Sequence, residues 1–146
     1  MAYARIENDV VVEYPLYEGE IRLRYPSVSF PKPFDPPAGY VAIQETTMPA
    51  VDYTENVALG TPTLVDGAWI QQWDVTAASA EEIAERTESQ AAAVRNDRNK
   101  RLADCDWTQL ADAPVDHTEW ATYRQALRDA TAQEGFPWEV EWPQQP

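Results

Sequence analysis

Apolar and polar positions alternate in short runs over the first half of the chain and recur at helical spacing over the second. Residues 3–6 and 10–14 alternate on either side of Asn8-Asp9, a two-residue turn candidate, and so predict a β-hairpin. Residues 21–25 place Ile21, Leu23 and Tyr25 on one face and Arg22 and Arg24 on the other, the pattern of a strand. Residues 40–44 give a fourth strand candidate. Residues 63–65 and 69–75 flank Asp66-Gly67, a strong hairpin turn, with Trp69 and Trp73 on one face as core of a small sheet.

Prolines separate these runs. Eight of the twelve lie from Pro15 to Pro62, and none from Thr63 to Ala113. Residues 26–39 hold Pro26, Pro31, Pro33, Pro36 and Pro37, which excludes a helix or a central strand and predicts an extended loop with polyproline character. Its apolar residues, Val28, Phe30 and Phe34, require cover from the small sheet or from a partner.

After residue 78 the period changes. Ser79 with Glu82 forms a capping-box signature, and no proline or glycine follows from Ala80 to Asp104. Glu81, Glu82, Glu85 and Glu88 come early and Arg95, Arg98, Lys100 and Arg101 late, complementing the helix macrodipole. The apolar stripe is narrow: Ile83, Ala84, Thr87, Ala91, Val94 and Leu102. Such a helix is a solvated connector or a member of a bundle formed with copies of the chain or with partners. A second helix is expected from Asp116, whose capping partner would be Glu119. Trp120, Tyr123, Leu127 and Ala130 share one face, and Gly135 is the expected stop. Trp138, Val140 and Trp142 then alternate along an extended tail. The predicted fold class is α+β. A β-rich domain spans 1–78, a long connecting helix 79–105, and a helical and extended module 106–146.

Charge narrows the partners. Residues 1–78 carry 4 basic and 11 acidic side chains and residues 79–146 carry 7 and 14, so the net charge of −14 is spread over both halves. That field repels nucleic acid and anionic membranes and favours neutral or basic protein surfaces. The start of the chain lacks a secretory layout, and no apolar run approaches the roughly 18 residues of a spanning helix. Synthesis and use in the cytosol, or in a particle assembled there, are expected.

Candidate chemistry is sparse. His117 and Cys105 are the only residues of their types, too few for a zinc site, and no disulfide can form within the chain. A Cys105–His117 pair would place the thiol at a helix C-terminus, where the dipole does not lower its pKa. The carboxylates near Asp104, Asp106, Asp112 and Asp116 miss the Ca²⁺-loop pattern, and no phosphate-binding glycine motif is present. No catalytic residue, metal or cofactor is expected. Four of the six tryptophans fall within residues 107–142. With Tyr123, Arg124, Arg128 and Phe136 they have the composition of an interface.

The same region carries a resemblance. Arg98-Asn99-Lys100-Arg101-Leu102 is followed by Asp106-Trp107-Thr108-Gln109-Leu110-Ala111-Asp112-Ala113-Pro114. Next comes Trp120-Ala121-Thr122-Tyr123-Arg124-Gln125-Ala126-Leu127-Arg128-Asp129, and then Phe136-Pro137 and Trp142-Pro143. In order and spacing residues 95–143 resemble the C-terminal module of phage tail fibre assembly chaperones. The resemblance implies a helper that binds a tail fibre or other tail protein in the host cytoplasm, aids its folding and trimerisation, and is released or stays on the tail. The partner-binding residues expected are Trp107, Trp120, Tyr123, Arg124, Leu127, Arg128, Phe136, Trp138 and Trp142. The alternative is a structural virion component, a fibre subunit or adaptor.

Overall fold

The computed structural model describes residues 1–146, which form two compact units, Met1–Ala77 and Ala78–Pro146. The fold is α+β, as the sequence pattern predicts.

In the first unit, β1 (Tyr3–Glu7) and β2 (Val10–Leu16) pair antiparallel, and β3 (Tyr40–Ala42) adds to the other side of β1, giving the order β2-β1-β3. Asn8 and Asp9 both have positive φ, 50° and 60°, the backbone that a two-residue hairpin turn requires. Tyr3, Leu16, Ile21 and Tyr40 form the core, with Tyr25 and Phe34 packed against them. The proline-rich loop therefore finds its cover within its own unit. Phe34 meets Tyr3 edge-on at 5.4 Å, Phe30 lies 5.2 Å from Phe34, and the Arg22 guanidinium stacks on both phenylalanine rings; Val28 stays exposed.

The strand expected at residues 21–25 is instead the helix α1 (Glu18–Arg24). Local charge outweighs the alternation. Glu18 and Glu20 occupy the first turn and Arg22 and Arg24 the last, as the dipole favours. Glu18 accepts from Arg22 one turn on at 2.7 Å, and Glu20 accepts from the Tyr17 N–H at 2.8 Å. A strand would bury Ile21 and Leu23 together; the helix buries Ile21 completely and leaves Leu23 in solvent.

The ribbon β4 (Glu55–Val65) and β5 (Ala68–Ala77) turns at Asp66-Gly67, both with positive φ. β4 is much longer than the 63–65 run anticipated. Pro62 concealed it: the register shifts between Gly60 and Thr63, and a bulge is where a strand tolerates a proline. Gln44 attaches beside β5 through a parallel bridge to Ile70. Trp69 and Trp73 are half-buried, and the Trp73 indole N–H donates to the Thr46 hydroxyl at 3.1 Å.

In the second unit, α2 (Ala80–Asp104) starts from the expected box: the Glu82 N–H donates to Ser79 Oγ, and the Ser79 N–H donates to the Glu82 carboxylate. A 3-10 turn (Asp106–Gln109) leads towards α3 (His117–Asp129), where Asp116 accepts from the N–H groups of Thr118 and Glu119. A second 3-10 turn (Ala130–Ala132) follows.

Gly135 does not act as a helix stop, because α3 has already ended at Asp129. It stands where the chain folds onto itself. A Cβ there would lie 2.5 Å from the Glu139 carbonyl oxygen, and the Glu139 N–H donates to the Gly135 carbonyl at 2.7 Å. Gly135→Ala is expected to cost roughly 1–3 kcal/mol by overpacking. Hydrogen exchange of peptides spanning residues 130–142 would show it, and unchanged protection would refute it. The tail is correspondingly no strand. Residues 134–138 are turns, and residues 140–146 carry no regular structure.

Candidate partner-binding surface

The second unit is a helical hairpin closed by its own tail. α3 packs against α2 near its C-terminal end, around Leu102, and α2 also buries Ala91 and Val94. Cys105, Trp120, Tyr123 and Leu127 form the core, and Leu102, Val115 and Trp142 pack around it. The spacing of Trp120, Tyr123 and Leu127 is the apolar stripe read from the sequence, and Ala130 extends it, fully buried.

Arg124 sits inside this core, 8% exposed. Its Nη1 donates to the Leu102 carbonyl at 2.8 Å and to Cys105 Sγ at 2.9 Å, and its Nη2 donates to Asp106 Oδ1 at 2.7 Å. One guanidinium thus joins α3, the last turn of α2 and the 3-10 turn. It also sets a cation at the negative end of α2. Cys105 donates its S–H to the Leu102 carbonyl, and Thr108, fully buried, donates its hydroxyl to the Cys105 carbonyl at 2.7 Å. His117 Nδ1 donates to the Thr108 carbonyl at 3.1 Å and ties the start of α3 to the same turn. Cys105 and His117 are each engaged with these groups rather than with one another.

The tail is fastened to α2 side chain by side chain. Phe136 lies against the Arg95 guanidinium at 5.6 Å and Trp142 against that of Arg101 at 4.4 Å. Gln90 donates to the Pro137 carbonyl. Gln133 clamps Glu141 in both directions, donating to its carbonyl and accepting from its N–H, each at 2.8 Å. Trp138 borders a shallow recess with Glu85, Arg86, Ser89 and Gln90. Between α3 and the end of the tail runs a cleft of about 410 Å³, lined by Thr118, Thr122, Tyr123, Ala126, Pro143 and Pro146 among others.

The nine residues named from the sequence fall into three groups. Trp120, Tyr123, Arg124 and Leu127 are buried in the hairpin. Phe136, Trp138 and Trp142 are half-buried along the tail. Arg128 is exposed and shares none of the contacts of Arg124, although it lies one turn away. Trp107 is the large aromatic left open. Its ring lies 6.0 Å from Trp120, yet 49% of it is exposed. Sequence reasoning missed Leu110, which is 60% exposed three residues on. It lies in the same short block as Trp107, but outside any helical period that would have drawn attention to it. Gln133 was missed as well, since a lone glutamine carries no pattern.

The chain is thus α+β and ends in a tail-clasped helical hairpin, with Trp107 and Leu110 exposed at the hairpin's closed end. Residues 91–146, the C-terminal module, match the family described as phage tail assembly chaperone protein. The motif resemblance over residues 95–143 is thereby borne out, and it supports a bacteriophage tail assembly chaperone role. Neither a curated protein nor a solved structure matches the chain.

Proposed function

We propose that the chain binds a tail fibre protein during phage assembly and aids its folding and trimerisation, acting by contact and without catalysis. The observation that carries this reading is the exposure of Trp107 and Leu110 on a module whose other large apolar side chains are occupied internally. Exposed aromatic and aliphatic side chains side by side are a surface that a partner can cover with gain, which supports this reading. Trimeric fibres must align three chains, and until then their strand edges and apolar faces invite aggregation. A chain of net charge −14 that covers such a surface would hold it in solution. The place of action is the host cytoplasm during assembly, and no helix of the chain is long and apolar enough to cross a membrane.

Co-expression with the fibre protein of the same phage is the test. Soluble trimeric fibre should rise several-fold, and less so with Trp107→Ala together with Leu110→Ala. An unchanged yield with the unaltered chain would overturn the proposal. Mass spectrometry of purified particles would then separate a helper that is released from one that stays on the tail.

A further inference from the structure

The hairpin's closed end carries a second property beside its apolar pair. Between Arg101 and Arg124 there is no lysine or arginine, whereas Asp104, Asp106, Asp112, Asp116 and Glu119 all fall in that interval. All five are exposed. The fold gathers them. Asp104 ends α2, Asp106 opens the 3-10 turn beside Trp107, and Asp112 lies in the loop after Leu110. Asp116 and Glu119 begin α3, which the His117–Thr108 and Trp107–Trp120 contacts hold against that turn. The bordering cations are already engaged. Arg124 is buried and pairs with Asp106 at 2.7 Å, and Arg101 is bonded to Asp97 and stacked on Trp142. The result is an apolar patch with an acidic rim, in which Asp106 is already paired with Arg124 and Asp116 caps α3, while Asp104, Asp112 and Glu119 face solvent.

We infer that this end of the hairpin takes a cationic amphipathic segment of the partner, with apolar side chains seated on Trp107 and Leu110 and lysines or arginines set against Asp104, Asp112 and Glu119. The inference rests on the chaperone reading and specifies which surface does the holding and what chemistry it holds. Charge selects the occupant. A neutral apolar segment would leave the rim unpaired, and an acidic one would be repelled by it. Contacts of this kind speed encounter and weaken with salt, whereas a purely apolar contact does not.

The test uses the full chain and three synthetic peptides with identical apolar residues, whose polar positions are lysine, glutamine or glutamate. Binding is followed by fluorescence anisotropy of labelled peptide. The lysine peptide should bind most tightly and the glutamate peptide not measurably. Trp107→Ala and Leu110→Ala should each weaken the lysine peptide by about tenfold. Asp104→Lys with Asp112→Lys should weaken it by a similar factor, and Asp104→Lys suits the C-terminal end of α2 and so preserves the fold. Far-ultraviolet circular dichroism confirms that each variant is folded. Leu110→Ala is the arm least exposed to misfolding, since that side chain is mostly in solvent. Equal binding of the three peptides would overturn the inference. So would lysine-peptide binding that survives both apolar replacements, since that is diffuse attraction to an acidic chain. Should the peptides fail while co-expression still raises fibre yield, the chaperone reading stands and only this surface is lost.

Discussion

Leu127→Ala is expected to cost the second unit about 3 kcal/mol, within the roughly 2–5 kcal/mol range of buried leucine truncations. Leu127 is completely buried, in a cluster with Cys105, Trp120 and Tyr123 and with Leu102, Val115 and Trp142 around it. Those neighbours belong to both helices, the loop between them and the tail, so the cavity is framed by elements that cannot all close in upon it. Domains hold roughly 0.1 kcal/mol per residue, which makes this a large share of what a unit spanning Ala78–Pro146 has. Two units in one chain need not unfold together, so a single melting temperature is the wrong readout. Hydrogen exchange resolved by peptide is the right one: protection over residues 91–130 should fall while protection over residues 1–77 holds. A loss below about 1 kcal/mol would mean that this cluster is not the unit's core.

Arg124→Met is expected to cost about 2–3 kcal/mol, although methionine keeps much of the stem's bulk. The change removes the charged donor from the Leu102 carbonyl, which keeps only its bonds from Cys105, and strips the end of α2 of its cation. The ion pair itself contributes little of this. The Asp106 side chain is 66% exposed, and exposed partners are screened by water. Asp106→Asn should therefore change stability by less than about 1 kcal/mol. Measured side by side in denaturant, the two variants separate a buried fastening from a surface pair. Equal effects would refute that division.

The helical half of the chain was largely legible because its signals are local and agree with one another. Ser79 and Asp116 cap where their side chains say they should, and the stripe of Trp120, Tyr123 and Leu127 faces inward as its period requires. The Asn8-Asp9 and Asp66-Gly67 turns were readable for the same reason. The failures are tertiary. In α1, five alternating residues suggested a strand, but charge placement and a single buried isoleucine made a helix. β4 was hidden by a proline that only a bulge accommodates. At the candidate surface, composition identified the right aromatic cluster but not its division of labour. Trp120 and Trp107 look alike in sequence, and only packing decides that one is covered and the other left open. The acidic residues were visible individually. Their convergence was not, since it depends on α3 returning beside the turn that follows α2.

The chain's one thiol, on Cys105, is sealed under Arg124 at the joint where both helices meet. A reagent that develops colour on reacting with sulfhydryls can touch it only when that joint gapes. The pace of colour development is thus a clock for breathing at one defined spot, free of background from any other cysteine. Timed with and without a bound partner, it would report whether the grip clamps the joint shut or pries it apart.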